Sequence, residues 1–257
     1  GSVKLNNDIT AVIDITGIAV NGDIVVKNGA DVKSGSRIEG GSNESGTIRF
    51  TAVQDDPEGS MGNIWINGTL DSELDTLLSA KNGDITVNGD ISAGGDVNAK
   101  ILDKTDGNII LDSNIKAGNE MFVETTGGYI LMGGVQKTIT AGPTIQVKSE
   151  SVNVSLIGNV TAGLNLNVTT GGTGNLNIAY VGENNQLVPA QVSAGHNVDL
   201  TTKDGEINVL GKLEAKEYDV TLTSIGGKIS VTGDLDAGTY ITAATVTGDI
   251  DAKGDVN

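Results

Sequence analysis

No cysteine occurs anywhere in this chain, which removes disulfides, thiolate nucleophiles and cysteine-based zinc sites together. Proline is almost as rare, at three residues, and aromatics make up only 3% of the 257 positions. The single histidine, His196, follows a Val-Ser-Ala-Gly stretch and reads as a solvent-exposed turn residue. Arginine is limited to Arg37 and Arg49. No secretory leader and no apolar run of membrane-spanning length is visible. No window keeps apolar residues at helical spacing, so helices are not expected. Positive charge is outweighed, with 16 Lys and Arg against 33 Asp and Glu, for a formal charge of −17. Such a surface repels phosphate backbones and anionic lipid, so neither nucleic acid nor membrane insertion is expected of this segment.

What the chain does have is glycine, 37 residues of it, with Ile, Val, Leu and Ala as its apolar share and Asn, Asp and Thr between them. β-branched residues suit pleated surfaces, and the polar set is turn chemistry. A unit of the form Gly-polar-Ile-x-Val recurs, as GDIVV (22–26), GNIWI (62–66), GDITV (83–87) and GEINV (205–209). Its first apolar position gives Ile24, Ile64, Ile85, Ile109, Ile130, Val152, Leu176, Ile207, Ile229 and Ile250 as the repeat core. Seven of the nine steps between these residues are 21–24 long. Within each period a second unit follows, for example ISAG (91–94), IKAG (115–118), ITAG (139–142) and VTAG (160–163). A third apolar pair then closes the period, such as Val97 with Ala99 or Ile145 with Val147.

Three short strands per 21–24 residues, each alternating with period two, predict a three-faced β-solenoid. The fold class is therefore all-β, a right-handed parallel β-helix, with the hand taken from the crossover rule for parallel strands. One coil cannot bury its own inward residues, so its neighbours complete the core and satisfy its backbone donors. At about 4.8 Å per coil, roughly nine coils make a rod about 45 Å long. The Ala of the second unit allows a tight corner, and the Gly after it is expected to adopt a backbone angle closed to other residues. Lys216 replaces that Gly in one coil, where the corner is expected to differ or be strained. Residues 1–257 read as one β-helix segment; Gly1-Ser2 resembles a remnant of tag removal, and the stop inside a repeat suggests a piece of a longer protein.

Interruptions of a solenoid become loops on one face. They fall at about 36–45 and 55–61, flanking a strand at 47–53, and at 181–191. Trp65 occupies an outward position between Ile64 and Ile66, beside the first interruptions, where a ring is free to stack on a sugar or anchor a partner. The candidate binding residues are Trp65, Arg37, Arg49, Asn184 and Gln186. Acidic groups at Asp55, Asp56 and Glu58, and at Asp71, Glu73 and Asp75, lack the spacing of a calcium loop and read as solvated turns. GGTGN (171–175) precedes a strand rather than a helix, so it reads as a turn and not a phosphate cradle. No nucleophile, metal or cofactor motif is present, and an enzyme is not expected. The competing reading is a carbohydrate-active β-helix, either a polysaccharide lyase-like enzyme or a phage tailspike, which needs acids, bases and aromatics grouped on one face.

The alternation of the three units, clearest in VTAGLNLNVTTGGTGNLNIA (160–179) and again in GKISVTGDLDAGTYITA (227–243), resembles the repeats of filamentous haemagglutinin-type exoproteins. These are large adhesins of bacterial two-partner secretion and related contact-dependent inhibition proteins. The resemblance implies a β-helical adhesin shaft, an outer-membrane secretion partner, a secreted or cell-surface location, and a protein or glycan receptor on host cells or other bacteria. The family's amino-terminal secretion domain and a distinct carboxyl-terminal domain are not seen in these residues. No binding residue carries over from the family, because the repeat residues are structural.

Overall fold

A computed structural model describes residues 1–35, 46–55, 62–102, 107–134, 136–178, 180–181, 187–188 and 190–257, with backbone alone at 180–181 and 187–188. All but two of its strands fall into three parallel sheets of 11, 10 and 10 strands, called A, B and C here in the order the chain visits them. Each of the first ten coils contributes one strand to each sheet, and the eleventh adds a strand to sheet A alone. Sheet A runs from Val3–Leu5 to Ile250–Ala252, sheet B from Ile9–Ala11 to Leu235–Ala237, and sheet C from Ile15–Val20 to Ile241–Thr245. No helix occurs among the described residues. Ten steps between eleven sheet A strands, at about 4.8 Å each, make a rod about 48 Å long.

The repeat reads one coil short. Val3–Leu5, Ile9–Ala11 and Ile15–Val20 form an opening coil, with Val3 paired to Ile24, Ile9 to Val32 and Ile15 to Ile48. Its wording differs from the later units, yet Ser2, Asp8 and Asp14 already stand at its three corners. Each accepts a backbone N–H from the next coil: Asp23 to Ser2, Asp31 to Asp8, and Thr47 to Asp14.

Inward residues stack in aliphatic columns. Ile24, Ile64, Ile85, Ile109, Ile130, Leu176, Ile207 and Ile229 are all at most 1% exposed, so nearly every apolar atom of each is removed from water, about 1.5–3 kcal/mol per side chain. Two expected core residues differ. Val152 is only half-buried, and the inward pair of its coil is Val154 and Leu156, with Val154 paired to Ile130 and Leu176. Val152 holds the corner place that Gly128 and Gly174 hold in adjacent coils, its carbonyl lying under Gly174. A valine where the repeat has glycine therefore displaces the apparent register by two residues. Ile250 is inward-facing but 48% exposed, because it lies on the last rung and no further coil covers it.

The corner glycines depart from expectation in an informative way. Among the described residues, left-handed glycines are Gly29, Gly35, Gly46, Gly133, Gly158 and Gly172. Of the glycines after the second strand only Gly35 is one of these. Gly118, Gly142, Gly163 and Gly195 are instead glycine because a Cβ would overlap the carbonyl oxygen of the glycine one coil below. Coil-to-coil contact, not a special φ, excludes a side chain there. Lys216 has an ordinary φ and keeps the ladder bond, its N–H donating to Ala194 at 3.0 Å.

Polar residues bind the corners. Asp and Asn precede the strands of all three sheets, and each side-chain oxygen accepts the N–H of its equivalent one coil on: Asp84 from Asn108, Asp96 from Glu120, and Asn114 from Thr138. Inside the corner between sheets C and A, buried hydroxyls cap glycine carbonyls, as Thr125 on Gly107 at 2.9 Å and Thr202 on Gly205 at 2.8 Å. These bonds answer the demand of buried backbone groups for partners.

Candidate binding surface

Because side chains alternate, every strand that buries two residues presents the one between them, and stacking turns these into outward rows. On sheet A the row begins at Lys4 and reads Val25, Trp65, Thr86, Ile110 and Leu131, in direct register. It continues as Ser155, Asn177, Asn208 and Ser230. From Val25 to Leu131 the face is thus apolar except for Thr86, and from Ser155 on it is polar. Trp65 is outward as expected and 39% exposed. It does not stand alone, since the half-buried Val25 adjoins it on one side and, beyond Thr86, the half-buried Ile110 and Leu131 continue the same line. The corner amides flank this stripe, with Asn88 donating to Asn67 at 2.8 Å on one side and Asn63 bonded to Asp23 on the other.

Sheet C presents two rows. One holds Arg49, Leu77, Asn98, Phe122 and Gln146; the other holds Lys100, Glu124 and Lys148. Lys100 reaches Glu124 at 2.7 Å, and Lys148 reaches Glu124 at 3.4 Å and Glu150 at 3.2 Å. The hydrogen bond from Lys100, joined by Lys148, holds the Glu124 carboxyl below its ordinary value. Glu150 and then Glu124 raise the Lys148 ammonium. Phe122, the two amides and this ion row line a groove of about 300 Å³. A wider, open groove of about 600 Å³ lies on sheet B among Lys33, Asp71, Asp90, Ser92 and Lys116.

Trp65 and Arg49 are not brought together, since Trp65 projects from sheet A and Arg49 from sheet C. Arg49 is exposed, and its charge acts on Asp14, whose carboxyl is lowered mainly by the N–H groups of Gly46 and Thr47. Arg37, Asn184 and Gln186 lie outside the described residues, as do 36–45 and 56–61. At the third interruption Tyr180–Val181 and Leu187–Val188 pair as a short antiparallel ribbon, so 181–191 is a hairpin in part rather than a plain loop.

His196 is less solvated than a free turn residue. Its Nε2 lies 3.2 Å from Glu217, and its ring meets Tyr218 edge-on with centroids 5.0 Å apart. Asp75 spends its oxygen on the Asp96 N–H. Among the described residues no group of three acidic or histidine side chains is placed to hold a metal. The turn at 171–175 closes through Gly174 N–H to Gly171 at 3.2 Å, with Gly172 left-handed. The longer apolar row and the Phe122 groove both escaped the sequence reading. Their signal is the middle residue of each aligned strand, which is read only once the register is known.

Three parallel sheets with corner ladders of Asp and Asn define a β-helix repeat protein. Neither protein-family models, curated proteins nor solved structures include a match to this chain.

Proposed function

We propose that this chain is a shaft of an extracellular bacterial adhesin of the filamentous haemagglutinin type, a stiff spacer that also carries a contact face. The observation that carries the reading is the division of labour along the rod. Its interior is a continuous aliphatic ladder, while its outward row on sheet A passes from mostly apolar to polar along the rod. The repeat wording at 160–179 and 227–243 supports the same family. In this reading a receptor on host cells or other bacteria, protein or glycan, is engaged through the Trp65 end of sheet A, and the chain reaches the surface with an outer-membrane secretion partner.

A second reading, a carbohydrate-active β-helix, draws on the Phe122 groove, where an aromatic ring lies between two amides beside Glu124. One experiment separates them. The chain is presented to immobilised glycans, to cultured cells and to soluble acidic polysaccharides, and both binding and product formation are followed. Binding without turnover supports the adhesin. Depolymerisation of any polysaccharide would sink it.

A further inference from the structure

Five Asn-Gly pairs occur in the chain, at 21–22, 28–29, 67–68, 82–83 and 88–89. Asn-Gly is the dipeptide most prone to self-modification, because glycine offers its backbone nitrogen without a side chain in the way. That nitrogen attacks the asparagine side-chain carbonyl carbon, ammonia leaves, and a succinimide ring forms. Water then opens the ring at either carbonyl, leaving aspartate or isoaspartate. In a folded protein the reaction needs an unengaged glycine N–H and room for the backbone to close the five-membered ring.

We propose that Asn28 is a site of spontaneous deamidation and that the coil-to-coil packing protects the other four asparagines. Gly29 is left-handed, at φ 81°, and no atom outside its own neighbourhood comes within 4 Å of where its Cβ would stand. The turn is held by Ala30 N–H to Lys27 at 3.1 Å, Asn28 is exposed, and among the described residues the Gly29 N–H has no acceptor. Every other pair is enclosed. Gly22 packs on the backbone of Gly1, Gly68 on the carbonyls of Ala30 and Lys27, Gly83 on Gly62, and Gly89 on Gly68. Gly89 N–H also donates to Ile66 at 3.0 Å, the Asn67 and Asn88 amides bond each other at 2.8 Å, and Asn21 accepts the Asp55 N–H at 2.8 Å. Cyclisation at these four must first open the stack, whereas Asn28 reacts from the folded state. The product adds a negative charge, and its isoaspartyl form adds a methylene to the turn that carries Ala30, whose carbonyl accepts Thr69 N–H at 3.0 Å.

The folded chain is incubated at mildly alkaline pH, quenched and digested in acid, and each Asn-Gly peptide is followed by mass spectrometry. Isoaspartate is confirmed by enzymatic methyl transfer to its free carboxylate. The expected result is conversion of Asn28 at least about tenfold faster than any of the other four, converging to similar rates for all five in urea. Persistence of Asn28, comparable conversion of any enclosed pair in the folded chain, or an undiminished lead of Asn28 in urea overturns the proposal. An Asn28→Ser variant with an unchanged circular dichroism spectrum is expected to lose the fast event and no other.

Discussion

Glycine at the corners of this rod serves the coil above as much as its own turn. The sequence suggested a special backbone angle at the Ala-Gly corner, and the structure assigns the requirement to a carbonyl one coil away. Gly118→Ala would set a methyl group against the Gly94 carbonyl oxygen. Backbone cannot yield as a flexible side chain can, so a loss of about 1–3 kcal/mol is expected in thermal or urea unfolding. Ser113 makes the opposite point. It stands in a corner between Leu111 and Ile115, fully buried, and its hydroxyl is the buried side-chain polar atom without a partner among the described residues. Ser113→Ala is expected to raise stability by up to about 1 kcal/mol, the burial cost of an unsatisfied hydroxyl. A clear fall in melting temperature would refute that assignment.

At the scale of the strand, register decides what a residue does. Val152 and Val154 are the same amino acid two positions apart, yet one is a corner residue and the other is 0% exposed beneath Leu176. Val154→Ala is expected to cost about 2 kcal/mol, and Val152→Ala clearly less. Equal losses would contradict the register. The corner signal was present in the sequence as Asn153, whose side chain accepts the Asn175 N–H at 2.8 Å, but the surrounding valines concealed it. The row Lys100, Glu124 and Lys148 is likewise a property of register, since its members are 24 residues apart in sequence. Glu124 has a folded pKa below its ordinary 4.5. Its stabilising contribution is therefore complete above that ordinary value and disappears as pH falls through the lower folded one. Lys100→Met is expected to move the Glu124 midpoint upward, toward 4.5, in a carboxyl NMR titration. The surface exposure of all three groups keeps the effect on global stability small.

As a whole molecule the protein is close to one-dimensional, each coil touching only those above and below it. Stability in such an array is a sum of coil and interface contributions, and cooperativity fails where an interface is broken. Ile109, 0% exposed near the middle of sheet A, is a place to break it. Ile109→Asp buries a charge without a partner, and unfolding is expected to separate into two transitions, one for each side of the defect. A single unchanged transition would argue against the modular description. The outward rows also belong to this scale. If the apolar end of sheet A is the adhesive face, Trp65→Ala should cut receptor binding at least about fivefold, a loss of roughly 1 kcal/mol as for an exposed aromatic anchor. Asn208→Ala, on the polar half of the same row, should leave binding unchanged. Equal losses in solid-phase binding would place the contact elsewhere.

The all-β class, the three strands per coil, the 21–24 residue period and nearly all of the inward columns were legible in the sequence. Period-two alternation and a fixed repeat length leave an aliphatic ladder few other ways to be buried. The first coil, the two-residue displacement at Val152 and the reason for the corner glycines were not legible. Each depends on which atoms of different coils lie against each other. The outward rows were hidden for the same reason: Trp65, Thr86, Ile110 and Leu131, or Asn98, Phe122 and Gln146, fall into line only when the parallel sheets set successive members one rung apart.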